Sequence, residues 1–423
     1  MLKRPSGRSS CVLAAASVAA LALGASAPMA APAVDWIGAW SASIQPVWTP
    51  DFPFPIGLPR SFWLQTIRQT VRTSVAGHKV RIVLSNEYGD VALSVTAAHV
   101  ALSGGDAKIK DGSDRALMFA GRPSVSIPPG ARMISDSVDL DAPALSSLSV
   151  SLFFGEPSPV SSIHWEGAQT AYIAGGNHVA DADIKADTTS HARAFIAEVL
   201  VDAAPGARTI VTYGDSITDG AASTPDANHR WPDLLAERLQ KDYGDKFSVL
   251  NEAISGERVL TDRMGANALA HFDRDVIAQP HASTVVLMMG INDIGWPDSP
   301  LSPHQAAPSA DDIVAGYKQL IDRAHMSGLR IVAATLTPFA DTFKGGPLEG
   351  YYSEDKEKKR EAVNAFIRSG AFDGVIDFDA VTRDTANPKH IQAQFDSGDH
   401  LHPNDAGYKA MAEALDLKIL TAN

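Results

Sequence analysis

The chain changes rhythm once, near residue 202, and that change limits its architecture more than any other feature. From Trp36 to about Val201 apolar residues alternate in short runs, at 64–72, 79–84, 91–95, 149–154 and 170–173. Ala76-Gly77-His78, Tyr88-Gly89-Asp90 and Ser103-Gly104-Gly105-Asp106 read as turns between such runs. Period-two alternation without helical spacing predicts an antiparallel β region, and a jelly-roll-like β-sandwich is the architecture it suggests. Past the linker Asp202-Ala203-Ala204-Pro205-Gly206-Ala207 the pattern becomes β/α alternation. Strands are predicted at 209–213, 247–251, 284–289, 330–335 and 374–378, with helices between them.

Two of those helices are legible in detail. Ile313, Val314, Tyr317, Leu320, Ile321 and Ala324 form one apolar stripe at helical spacing. Ser309 with Asp312 three residues on is a start signal, and Gly328 a stop. The 354–369 stretch reads as a charged helix with Val363, Phe366 and Ile367 facing inward and the Lys356–Arg360 run on a solvated face. Five strand–helix units imply a parallel, doubly wound α/β sheet. A length of 423 residues is long for one core, so two domains are expected, at 34–201 and 207–423.

The first 33 residues read as a Sec-type signal peptide. Lys3, Arg4 and Arg8 precede an apolar stretch from Cys11 to Ala25, and Ala31-Pro32-Ala33 offers a cleavage site. The stretch is short for a spanning helix, so a secreted or periplasmic protein without a stable membrane anchor is expected. Cleavage would remove Cys11, the only cysteine, and with it any disulfide, cysteine nucleophile or thiolate metal site. A formal net charge of -13 with no basic tract argues against a nucleic-acid partner.

In open α/β sheets ligands bind beyond the carboxyl ends of the strands. Ser216 follows the first predicted strand, Gly256 the second and Asn292 the third, while Asp399 and His402 follow the fifth. Each residue type suits acyl transfer. A serine hydroxyl is a weak nucleophile until a base takes its proton, and His402 is a base suited to neutral pH. Asp399, three residues earlier, is placed to fix the imidazole tautomer. Pro403 suits the first position of a following helix. The backbone N–H groups of Ser216 and Gly256 and the amide of Asn292 would form the oxyanion hole.

These segments resemble the SGNH, or GDSL-type, hydrolases, whose four sequence blocks centre on Ser, Gly, Asn and His. The matching blocks are Gly214-Asp215-Ser216-Ile217-Thr218-Asp219-Gly220, Asn251-Glu252-Ala253-Ile254-Ser255-Gly256, Gly290-Ile291-Asn292-Asp293 and Asp399-His400-Leu401-His402-Pro403. All four stand in the family's order, and the resemblance covers roughly residues 207–420. It implies a flavodoxin-like three-layer α/β/α fold with strand order 2-1-3-4-5, and esterase or lipase activity without metal or other cofactor. It also implies that Asp399 matters less than His402. The N-terminal part, with Gly38-Ala39-Trp40-Ser41-Ala42-Ser43 and Val80-Arg81-Ile82-Val83-Leu84-Ser85-Asn86, is similar to the β-domain that precedes the catalytic domain in some secreted members. Those members are linked to deacylation of plant polysaccharides.

Plainer roles stand beside these. Ser216 alone would suit an N-cap, Gly256 a turn and Asn292 a loop amide. Asp293 reads as a loop brace. His400 is the rival base, and family spacing selects His402. His164 and His178 show no ligand spacing. Asp215 and Asp219 would suit an aspartate nucleophile or a Mg²⁺ site, but no phosphate-cradling glycine loop with lysine accompanies them. Trp36, Trp40, Trp48 and Trp63 suit either a sugar-stacking platform or core packing. The resulting expectation is a secreted serine esterase for short acyl esters, above all acetyl groups on carbohydrate. The alternatives are a lipase or lysophospholipase, and a carbohydrate-binding protein with a dormant hydrolase domain.

Overall fold

Alternating side chains on five parallel strands build the centre of the C-terminal half. The computed structural model describes residues 34–49 and 52–422. The predicted signal segment 1–33, Cys11 included, lies outside the described residues. The N-terminal strands used below are β1 (Trp36–Ser41), β2 (Gln65–Arg72), β3 (Gly77–Ser85), β4 (Ala97–Gly105), β5 (Ser147–Phe154), β6 (Ala171–Gly175) and β7 (Ile196–Asp202). Those of the C-terminal half are β8 (Arg208–Gly214), β9 (Phe247–Asn251), β10 (Ala282–Met288), β11 (Arg330–Ala334) and β12 (Gly374–Ile376).

The sheet of the C-terminal half runs β9-β8-β10-β11-β12, all pairs parallel. This is the order 2-1-3-4-5. Successive residues on each strand enter different cores, as period two requires. Val211, Tyr213, Val285, Leu287, Ile331 and Ala333 face one apolar cluster. Ile210, Val286, Met288, Val332 and Ala334 face another. Helices α3 (Ala310–Met326) and α4 (Glu354–Ile367) cover the first face, and α2 (Trp231–Tyr243) and α5 (Asp405–Ala414) the second. Buried on both faces, the strands read as apolar runs, as sheets of this kind do.

Helix α3 begins where the sequence places it. Ser309 Oγ accepts from Asp312 N at 3.1 Å, and Asp312 Oδ2 accepts from Ser309 N at 2.9 Å. Helix α4 departs from its sequence reading. In the Lys356–Arg360 run, expected to be solvated, Glu357 and Arg360 are buried and paired, and Arg360 Nη1 donates to Leu336 O at 2.9 Å and to Asp379 Oδ1 at 3.1 Å. Lys356 Nζ reaches Gly295 O and Gly350 O, both at 2.8 Å. Carbonyls without backbone partners draw these cations inward, a demand that a charge pattern does not reveal.

Before Ser216 the described residues contain no α-helix. β1-β7-β3 form the spine of one antiparallel sheet and β6-β2-β5-β4 that of a second. Inward residues of both, among them Ile67, Val80, Val100, Val150, Ile173 and Val199, share one core. The four tryptophans do not gather. Arg81 lies over Trp36, Arg193 over buried Trp40, Trp48 packs on Phe52 and Trp165, and Trp63 is 61% exposed.

The described residues from Asp35 onward form one compact unit, and its two halves meet along the edge strand β9. There Val249 N donates to Ser74 Oγ at 3.1 Å, and Ser248 Oγ donates to Gly38 O. A Cβ on Gly38 would lie 2.8 Å from Leu250 Cδ1, so a larger residue here would displace the Leu250 side chain. An edge that would otherwise offer unpaired backbone groups is thus covered. Elsewhere Gln45 Nε2 donates to Met264 O at 2.7 Å, and Arg72 pairs with Glu237 at 2.9 Å.

Candidate active site

The segment after β8 turns at once into a single helical turn, α1 (Ser216–Asp219). Asp215 is its N-cap, its Oδ1 accepting from Ile217 N at 3.1 Å. Gly214 and Gly220 are required by space. A Cβ on Gly214 would sit 2.5 Å from Met288 O, and one on Gly220 2.1 Å from Arg230 Cγ, at a φ of 103°. This turn sets Ser216 at the carboxyl end of the sheet's interior strand, where its Oγ lies 2.8 Å from His402 Nε2.

His402 is held from behind. Its Nδ1 is 2.6 Å from Asp399 Oδ2, while Asp399 Oδ1 accepts from the N–H groups of Leu401 and His402, each at 2.8 Å. Burial opposes ionisation of Asp399, but the hydrogen bond and charge of His402 and these two N–H groups hold its carboxyl well below the ordinary range. Burial likewise opposes the imidazolium, yet Asp399, with Asp215 and Glu166 beyond it, holds the His402 pKa above the ordinary value. With Nδ1–H bonded to a carboxylate, Nε2 is the atom left to accept from Ser216.

Gly256 and Asn292 line the same cavity as Ser216 and His402, about 250 Å³ in volume. At Gly256 φ is 76°, and a Cβ would come 2.3 Å from Met264 Sδ, so this loop position needs glycine. Among the described residues, the backbone N–H groups of Ser216 and Gly256 meet no acceptor. Asn292 is oriented from three sides. Its Oδ1 accepts from Trp296 Nε1 at 2.7 Å and Tyr351 Oη at 2.8 Å, and its Nδ2 donates to Glu257 O at 3.0 Å. That leaves one amide hydrogen, the second that Nδ2 carries. Asp293 is the loop brace expected, accepting from Val259 N at 2.8 Å and Leu260 N at 3.0 Å, and burial pushes its pKa up to about 6.

The remaining candidates are placed elsewhere. The His400 ring turns to Asp396 and stays half exposed. His178 bonds to Asp181 and to Gly175 O at the surface. Asp215 faces into the protein, and burial pushes its pKa up to about 7. Among the described residues no group of three or more His, Cys, Asp or Glu gathers as a metal site would.

Other residues of the site escape the sequence reading. His164, from the N-terminal half, is buried with Nε2 at 3.0 Å from Asp219 Oδ1 and Nδ1 at 3.0 Å from Ser43 O. Asp219 Oδ2 in turn accepts from Ser255 N at 3.0 Å and Ser255 Oγ at 2.8 Å, so it anchors the loop that carries Gly256. Trp165, Glu166 and Phe54, also N-terminal, line the cavity. No spacing in the sequence links 54 or 164–166 to Ser216. Trp296 does carry a signal, since it lies one helical turn beyond Asn292.

Residues 212–410 match the GDSL-like lipase/acylhydrolase family. Solved structures similar to part of this chain include a carbohydrate acetylesterase from Sinorhizobium meliloti, with 18% identity and a TM-score of 0.38, covering 51% of this chain and 100% of that one. An acetyl xylan esterase has 18% identity and a TM-score of 0.36, covering 49% and 96%. A GDSL-like lipase from Bacteroides thetaiotaomicron has 16% identity and a TM-score of 0.38, covering 51% and 89%. No curated protein matches the chain.

Proposed function

Because residues 212–410 belong to the GDSL-like lipase/acylhydrolase family and make this chain an ester hydrolase, we propose that it is a secreted or periplasmic serine esterase that removes short acyl groups, above all acetyl, from carbohydrate. In this reading residues 1–33 are a cleaved signal peptide, and the N-terminal β region is a jelly-roll-like partner of the catalytic domain. The observation that carries it is the hydrogen-bonded series Asp399–His402–Ser216 opening onto a cavity edged by unpaired N–H groups.

The cycle follows from those atoms. Ser216 Oγ attacks the ester carbonyl while His402 Nε2 takes its proton, and Asp399 holds the imidazolium that forms. The developing oxyanion lies among Ser216 N–H, Gly256 N–H and the free amide hydrogen of Asn292, each donor being worth roughly 3 to 4 kcal/mol of barrier. His402 returns the proton to the leaving alcohol; water, deprotonated by the same base, then attacks the acyl carbon, and His402 passes that proton to Ser216 Oγ as the acid departs.

One observation favours the alternative, an acyl-lipid substrate. Met264, Trp296, Leu301, Phe343 and Leu348 give the cavity an apolar wall. The test is a series of p-nitrophenyl esters from acetyl to octanoyl, run beside acetylated xylan and a lysophospholipid. We expect turnover to fall with chain length and acetate to leave the xylan. Rates that climb with chain length, with the lysophospholipid cleaved, would favour the lipid reading. No turnover above a Ser216→Ala control would leave a binding protein with a dormant hydrolase domain.

The pH dependence has a definite sign. His402 acts as base only when neutral, so kcat/KM rises with pH as the imidazolium is lost. Because the environment raises its pKa, the acid limb is expected above the ordinary histidine value of 6.5. Asp399→Ala removes the main group favouring the imidazolium, so the limb moves to lower pH, and kcat falls less than in His402→Ala. An unmoved limb would remove Asp399 from this role.

A further inference from the structure

Glu166 is, among the described residues, the one acidic side chain lining the catalytic cavity, and it comes from the N-terminal half. Among the described residues its carboxyl has no hydrogen-bond or ion-pair partner, although a half-buried carboxylate normally finds one. Its position is fixed from both sides in sequence. On one side His164 is locked to Asp219 and Ser43. On the other, Gly167 N donates to His191 O at 3.0 Å, and a Cβ on Gly167 would lie 2.4 Å from that same oxygen. The backbone is therefore anchored on either side of Glu166, whose carboxyl is an unused acceptor at the rim of the site.

Beside it lies a second cleft of about 350 Å³. Its lining includes Thr189, Ser190 and His191, in contrast to the apolar wall around Ser216. The two hollows share two residues, Trp165 and Glu166. Trp165 is braced as a partition. Its ring stacks on Phe54 at 5.7 Å and meets Trp48 edge-on at 5.4 Å, its Nε1 donates to Pro55 O at 3.0 Å, and its backbone N to Gln45 Oε1 at 3.1 Å. An ester seated on Ser216 has two ends of different chemistry. The acyl end suits the apolar wall, and a polyhydroxyl alcohol needs acceptors and donors.

We propose that the polar cleft of the N-terminal half is the subsite for the leaving alcohol, a carbohydrate, and that Glu166 accepts a hydrogen bond from a hydroxyl next to the ester. The inference rests on the carbohydrate esterase reading above. The N-terminal half is then a builder of specificity and not an appended module. Burial and the charge of Asp219, opposed by His402, push the Glu166 pKa up to about 7, a cost that a satisfied hydrogen bond from substrate would offset.

The experiment compares kcat/KM on acetylated xylo-oligosaccharides with kcat/KM on p-nitrophenyl acetate, whose leaving group carries no neighbouring hydroxyl. It uses the full chain, Glu166→Ala, Glu166→Gln and His191→Ala, with melting temperatures as a check on folding. The ratio of the two constants should fall about tenfold to a hundredfold in Glu166→Ala, the size of one hydrogen bond to a charged group, with the change mainly in KM. Glu166→Gln, which keeps an acceptor, should fall less, and His191→Ala should lower the ratio from the far side of the cleft. A ratio constant within twofold in the Glu166 variants overturns the subsite while leaving the esterase reading intact. A wild-type chain that cleaves p-nitrophenyl acetate but no acetylated oligosaccharide overturns the carbohydrate reading and the subsite together.

Discussion

Replacing Ser216 by Ala is expected to lower kcat on p-nitrophenyl acetate by about four to six orders of magnitude, and His402→Ala by nearly as much. The two side chains act as one unit, since Oγ is a nucleophile only when Nε2, 2.8 Å away, takes its proton. The double variant should therefore lose no more than the worse single one, whereas independent contributions would multiply. What survives in all three should come from binding and from the N–H groups of Ser216, Gly256 and Asn292. His400→Ala is the control, because its ring faces Asp396. A large loss at His400 with none at His402 would reverse the assignment of the base. Residual activity above a tenth of wild type in Ser216→Ala would remove Ser216 as the nucleophile.

The second large effect concerns folding. Asp275 is fully buried and lies where the two halves of the chain meet. It accepts from Ser43 Oγ, from His271 Nδ1 at 2.6 Å and from Arg274 Nη2 at 2.7 Å, and Arg274 Nη2 goes on to Ile44 O at 3.0 Å. Burial opposes its charge, but Arg274 and His271 hold its pKa far below the carboxylate range. Asp275→Ala leaves both cations without this partner inside the protein, and breaking a buried pair in this way costs about 3 to 5 kcal/mol. Urea unfolding of the variant should show a loss of that order. A loss under about 1 kcal/mol would mean that water or Glu257 satisfies His271 unaided.

Most of the catalytic half was legible in the sequence. The five predicted strands stand within a few residues of β8 to β12, and the Ser309 capping box opens α3 where it was read. These signals are local, because a strand buried on two faces is an apolar run and a helix start is a four-residue pattern. That Gly256 and Asn292 share a cavity with Ser216 is legible for a related reason, since a sheet of this topology collects its strand ends at one edge. The inward turn of Glu357 and Arg360 was misread, because a charged helix face looks solvated until Leu336 O and Asp379 are known to lie beneath it.

The positions of the strands along the chain, the turn that presents Ser216 and the four segments around it are therefore set by the sequence alone. All of these depend on periodicity and on contacts within a few residues. What tertiary packing alone settles is that Phe54, Trp165 and Glu166 line the cavity, and that His164 braces Asp219 and through it the loop of Gly256. Those contacts join segments far apart in the chain. They arise where the two halves pack together along β9, and such packing leaves no period for a sequence reading to find.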